Sequence, residues 1–149
     1  MDVSGVTDFS YAFSTSRNQA GGTNVNNGNP KAATFVGTAI SKWNTVSATS
    51  LDFTFYKASE MNVDLTGWKV GKVVSLYFTF YKASKFTGKG LASWNVAKVT
   101  TMGYTFSSRT SLTTCNKRKI ADAWKSNAVF VATTYDTDWA ADKCTVRFE

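Results

Sequence analysis

Apolar residues return along this chain at an interval longer than any helical or strand period. The string FTFYKAS stands at Phe53–Ser59 and again at Phe78–Ser84. Extended towards the N-terminus, it aligns WNTVSATSLDFTF, from Trp43, with WKVGKVVSLYFTF, from Trp68. WNVAKVTTMGYTF, from Trp94, is a further copy, and MDVSGVTDFSYAF opens the chain with Met1 in the tryptophan position. Trp43, Trp68 and Trp94 lie 25 and 26 residues apart. The apolar columns hold across all four units: Val6, Ala48, Val73 and Val99; Phe9, Leu51, Leu76 and Met102; Phe13, Phe55, Phe80 and Phe106. A separate aromatic column contains Tyr11, Phe53, Phe78 and Tyr104. A unit this short cannot bury an apolar face alone, so fixed columns with such a period predict stacked coils in which like residues lie over like. The expected fold is a β-rich solenoid, with Trp43, Trp68, Trp94, Phe13, Phe55, Phe80 and Phe106 as structural residues.

Within one coil, Lys72–Leu76 is short and β-branched and suits a brief strand, which stacking would turn into a short parallel sheet. The alternation Leu51-Phe53-Phe55 continues that strand or forms a helical turn; periodicity does not choose between them. FVGTAISKW (Phe35–Trp43) aligns without gaps to FTGKGLASW (Phe86–Trp94), so the extra length of the first unit falls at about 15–33. This segment is rich in Gly and Asn, holds the single proline, Pro30, and reads as a surface loop. The repeats occupy 1–112. After them, 113–149 form a C-terminal cap, with a helix expected over Lys117–Ser126, Asn116 as its N-cap, and Ile120 and Trp124 on one face.

Charge and composition narrow the chemistry. The chain has no histidine, a net charge of +7 and only ten carboxylates. Imidazole bases and histidine metal ligands are thereby excluded, and the chain is read as no enzyme, with no catalytic residue, metal or cofactor. Asp136, Asp138 and Asp142 form the densest acidic group but lack the glycine and terminal glutamate of a calcium loop. No apolar run reaches membrane-spanning length, and MDVSGVTDF has no signal-peptide pattern. No nucleic-acid-binding motif is present. The lysines are more regular: Lys57 and Lys82 share one column, Lys72 and Lys98 another. In stacked coils they become basic stripes, candidates with Tyr56 and Tyr81 for binding an anionic glycan or an acidic protein, or simply solvated faces.

The pattern W-[NK]-[VT]-x-x-[VA]-[TV]-x-[LM]-x-[FY]-T-F, followed by YKAS and a turn before the next Trp, resembles the 25-residue BspA-like surface-protein repeat of the leucine-rich-repeat group. The resemblance spans about 1–112 and implies leucine-rich-like coils, an extracellular or cell-surface location, and a role in adhesion or recognition. That family often has Met just before the last aromatic of the pattern, where this chain has Ala12, Thr54, Thr79 and Thr105. In register, those threonines could present a flat hydroxyl array. Cys115 and Cys144 bracket the cap, and in the oxidising setting that the resemblance implies they are expected to form a disulfide. The functional expectation is a non-enzymatic interaction or adhesion module. Its rival is a structural subunit of a filament, layer or matrix, self-assembling through the N-terminal coil or the sides.

Overall fold

The computed structural model describes residues 1–18, 24–25, 28–108 and 110–144. Its only strands among the described residues are β1 (Arg17–Asn18) and β2 (Asn24–Val25), a short antiparallel pair within the inserted segment. Strand-like contact between repeat units is limited to isolated parallel bridges, Asp8 to Ser50, Ser50 to Ser75 and Ser75 to Thr101. The expected β-rich solenoid, with its parallel sheet and leucine-rich-like coils, is therefore corrected. The repeats fold through turns and short 3-10 helices at Pro30–Thr34, Thr38–Lys42 and Leu91–Ser93.

The backbone explains why no sheet forms. Phe53, Phe55 and Lys57 donate their N–H groups to the carbonyls of Tyr77, Thr79 and Tyr81 in the next unit, at 2.9, 2.9 and 2.8 Å. The residues between them turn inward: Thr54, Tyr56 and Ala58 donate to Leu51, Phe53 and Phe55, three positions back. Phe78, Phe80 and Lys82 repeat the scheme towards Gly103, Thr105 and Ser107. Every second N–H thus closes a turn within its own unit, and the alternation that looked like a strand is a run of overlapping turns. These turns need left-handed residues, and Tyr11, Phe53, Phe78 and Tyr104 supply them with φ of 61°, 55°, 54° and 56°. Lys57 and Lys82 do the same at φ 59° and 54°. A left-handed L-residue costs about 1–2 kcal/mol, offset here by the inter-unit hydrogen bonds and by ring stacking.

The core runs through all four units. Phe13, Phe55, Phe80 and Phe106 stack at centroid separations of 5.5, 5.6 and 5.7 Å, within 9° of parallel. Trp68 and Trp94 are buried, whereas Trp43 is half-buried and Met1 is fully exposed. Each buried indole donates its Nε1–H to the unit before it, Trp68 to Ile40 O (2.8 Å) and Trp94 to Leu65 O (3.1 Å).

The threonine column is buried as well, which corrects the idea of a hydroxyl array. Thr54, Thr79 and Thr105 donate Oγ1–H to the carbonyls of Phe9, Leu51 and Leu76 in the preceding unit, at 3.1, 2.9 and 2.8 Å. Each hydroxyl thus adds a second hydrogen bond to a carbonyl that already accepts an N–H within its own unit. Thr79→Val keeps the shape and removes the bond, so urea unfolding should show a loss of about 1 kcal/mol.

The cap helix α1 spans Thr114–Trp124 and starts earlier than expected. Thr113 is its N-cap, accepting the Asn116 N–H at 3.1 Å. Asn116 is not the cap because its Nδ2 donates instead to Thr87 O in the third unit, at 2.8 Å. Ile120 and Trp124 are buried. Trp124 takes the next place in the tryptophan column, stacking on Trp94 at 6.4 Å and donating Nε1–H to Leu91 O. The short helices α2 (Ala128–Ala132) and α3 (Tyr135–Asp138) follow. Asn127 caps α2 through Oδ1 and holds Val96 O and Val99 O through Nδ2, joining the cap to the last repeat. Tyr135 Oη accepts the Phe106 N–H that would otherwise face a further unit.

Cys115 and Cys144 form a disulfide across a separation of 29 residues. Loop-closure entropy puts its contribution at about 3.5 kcal/mol. Reduction and alkylation should lower the unfolding midpoint in denaturant by a corresponding amount; an unchanged midpoint would show that the bond does not constrain the cap.

Candidate functional site

Outside the core, the turns build a second aromatic cluster. Because Phe53 and its equivalents are left-handed, they point away from the core columns of Leu51 and Phe55. Tyr11, Phe53, Phe78 and Tyr104 stack into a ladder with spacings of 4.7, 5.0 and 4.7 Å. Beside it, Tyr56 and Tyr81 stack at 5.1 Å and within 10° of parallel. The two rows interlock at steep angles, Phe53 tilted on Tyr56 at 5.3 Å and Phe78 edge to face with Tyr81 at 5.1 Å. Tyr77 closes the cluster, meeting Phe53 and Phe78 edge-on. Tyr104 ends the ladder and is 57% exposed.

Lys57 and Lys82 rim this face. Each ammonium sits over the tyrosine before it, 5.2 Å from the Tyr56 centroid and 5.4 Å from that of Tyr81. Neither lysine has a carboxylate partner among the described residues; the ion pairs there are Lys85–Glu60, Lys89–Asp64 and Arg118–Asp122. Asp52 lies near Tyr11, and its carboxylate accepts the Ser75 hydroxyl and the Tyr77 N–H. Burial raises the phenol pKa of both Tyr11 and Tyr56, reinforced by the Asp52 charge at Tyr11 and by Tyr81 at Tyr56. Both phenols therefore stay protonated donors throughout the neutral range.

The geometry defines what the face offers. The rings stack on one another, so their π-faces are largely occupied, and at exposed members such as Tyr104 the partly positive edges remain for a partner. Ring edges, phenol donors and ammonium groups together favour negative charge.

Of the expected binding residues, the structure brings together Lys57, Lys82, Tyr56 and Tyr81. Lys72 and Lys98 are exposed and make no described contact with that face; Lys72 borders a separate groove. Tyr77 and Asp52 are not among the residues expected from the sequence, where Tyr11 and Tyr104 stand only as members of an aromatic column. Their signal was the tyrosine content of neighbouring columns. Among the described residues, no group of three His, Cys, Asp or Glu side chains is placed to hold a metal, and no helix is long and apolar enough to cross a membrane.

The units and their shared columns mark a repeat-built protein. The chain belongs to the family described as "Mycoplasma protein of unknown function, DUF285", whose profile matches residues 1–124. That span takes in all four units and ends at Trp124, the last member of the tryptophan column. Neither the curated proteins nor the solved structures gave a match.

Proposed function

We propose that this protein is a non-enzymatic interaction module at the cell surface or in the extracellular space, and that its tyrosine–lysine face docks an acidic protein surface. The observation that carries this reading is the ladder itself: seven aromatic rings stacked in a cluster of their own, Phe53 and Tyr56 buried within it and Tyr104 exposed at its end, rimmed by two ammonium groups without carboxylate partners among the described residues. Tyrosines supply large contact area with little side-chain entropy left to lose, which is why they recur as interface anchors. The disulfide supports an oxidising, extracellular setting. The likeness to BspA-like surface repeats agrees with adhesion.

The test uses polyglutamate as a defined acidic chain. The parent protein should bind it at low salt and release it as salt rises. Lys57→Gln/Lys82→Gln should lose most of that binding with no change in thermal midpoint, because both side chains lie at the surface. If the double variant binds as tightly as the parent, the retention comes from the overall charge of +7 and this reading is wrong.

A further inference from the structure

A groove of about 440 Å³ lies on another part of the repeat surface, bordered by Val46, Trp68, Lys69, Val70, Lys72 and Asn95. Gly71 also lines it. The same column holds Val46 in the preceding unit and Ala97 in the following one, so Gly71 leaves a notch where its neighbours carry side chains. A Cβ built on Gly71 would meet nothing closer than Asn95 Nδ2, at 3.9 Å.

The polar lining is one-sided. Lys69 and Lys72 are exposed and have no ion-pair partner among the described residues. Asn95 Oδ1 accepts the Ala97 N–H, which leaves its Nδ2 donor facing the notch. The hydroxyl protons of the remaining lining residues are already committed, Thr66 to Asp64 Oδ1 and Ser93 to Gly90 O. Among the described residues, no carboxylate lines the groove. Asp64, two residues before Thr66, is turned to that hydroxyl and to Lys89. A second groove, bordered by Thr38, Asn62, Asp64 and Lys89, contains the Asp64–Lys89 pair and is thus internally balanced. The first is not: it offers two ammonium groups and an amide donor beside the exposed side chain of Val46.

We infer that this groove binds a carboxylate-bearing sugar, with the carboxylate between Lys69 and Lys72, a ring hydroxyl on Asn95 Nδ2, and the apolar face of the pyranose against Val46. Charge-assisted bonds to the carboxylate orient the ring, and the notch at Gly71 gives it depth. The site does not rest on the tyrosine–lysine face, and different variants test it.

The probe is methyl β-glucuronoside, with methyl β-glucoside and acetate as controls, followed by amide chemical shifts in the intact protein. The glucuronoside should give saturable shifts at Gly67, Gly71 and the Asn95 side-chain amide, with affinity in the millimolar range typical of a few polar contacts. The glucoside, which has no carboxylate, and acetate, which has no ring, should each bind at least about tenfold more weakly. Gly71→Val fills the notch with the side chain that the preceding unit carries, and it should abolish the shifts while the rest of the spectrum stays in place. Should that variant misfold, Lys69→Gln/Lys72→Gln decides, since both residues lie at the surface. No saturable shift, equal binding of either control, or undiminished binding by the double lysine variant would overturn the inference.

Discussion

Trp68→Ala should cost about 3–5 kcal/mol of unfolding free energy, the largest effect expected of any single truncation in the repeats. Trp68 is 3% exposed. Its ring lies 6.5 Å from that of Trp43 and 5.6 Å from that of Phe55, and its indole N–H reaches Ile40 O at 2.8 Å. Truncation removes the ring from between two units and takes from Ile40 O one of its two donors, the Trp43 N–H remaining, so cavity and hydrogen-bond losses add. Trp43→Ala is the internal control: the same column, but half-buried, and so a smaller loss. Denaturant melts of the two variants should separate clearly. Equal costs would mean that the column is not a continuous core.

Gly90→Ala should be the most damaging of the small substitutions, at about 2 kcal/mol or more. Gly90 has φ 95° and caps the 3-10 turn Leu91–Ser93. A Cβ there would strike the backbone of Leu65 and Thr66 in the preceding unit. Left-handed strain contributes about 1–2 kcal/mol, and relieving the overlap about 1–3 kcal/mol more. Its aligned counterpart in the first unit is Ala39, which is tolerated because the 3-10 helix there begins at Thr38, after Gly37 at φ 94°. Gly71→Ala makes a matched comparison: Gly71 has free space around its Cβ position, and that substitution should be close to neutral.

The sequence made some features legible and hid others for physical reasons. Repeated Trp and Phe columns signalled burial, since residues of one type at one period must share one environment. The bracketing cysteines signalled the disulfide. The backbone path was hidden. Left-handed turns usually advertise themselves with Gly or Asn, but here Tyr11, Phe53, Phe78 and Tyr104 occupy them, and an aromatic in a β-like alternation reads as strand. The same turn turns Phe53 away from Leu51 and Phe55, so an alternation that should have put all three on one face divides them between two clusters. Thr54, Thr79 and Thr105 looked like surface positions because nothing in the sequence shows that their hydroxyls add a second bond to a carbonyl one unit away. The cap helix began at Thr114 rather than Lys117 because two capping residues stand three apart, and only the fold shows that Asn116 is engaged elsewhere.

For the candidate site, column position correctly paired Lys57 with Lys82 and Tyr56 with Tyr81 one unit apart. It could not show that each ammonium lies over its neighbouring ring, or that Tyr11, Tyr77 and Tyr104 extend the face. Column position also grouped Lys72 with Lys98, whereas the groove associates Lys72 with Lys69 from another column, because Gly71 opens the surface between them.

The most direct test of the proposed role is a chemical-shift map of polyglutamate binding at low salt. The account predicts that the largest changes fall on Lys57, Lys82, Tyr56 and Tyr81, and extend to Tyr104 at the end of the ladder. Changes concentrated instead on Lys117, Lys119 and Lys125 of the cap, or spread evenly over all exposed lysines, would contradict it.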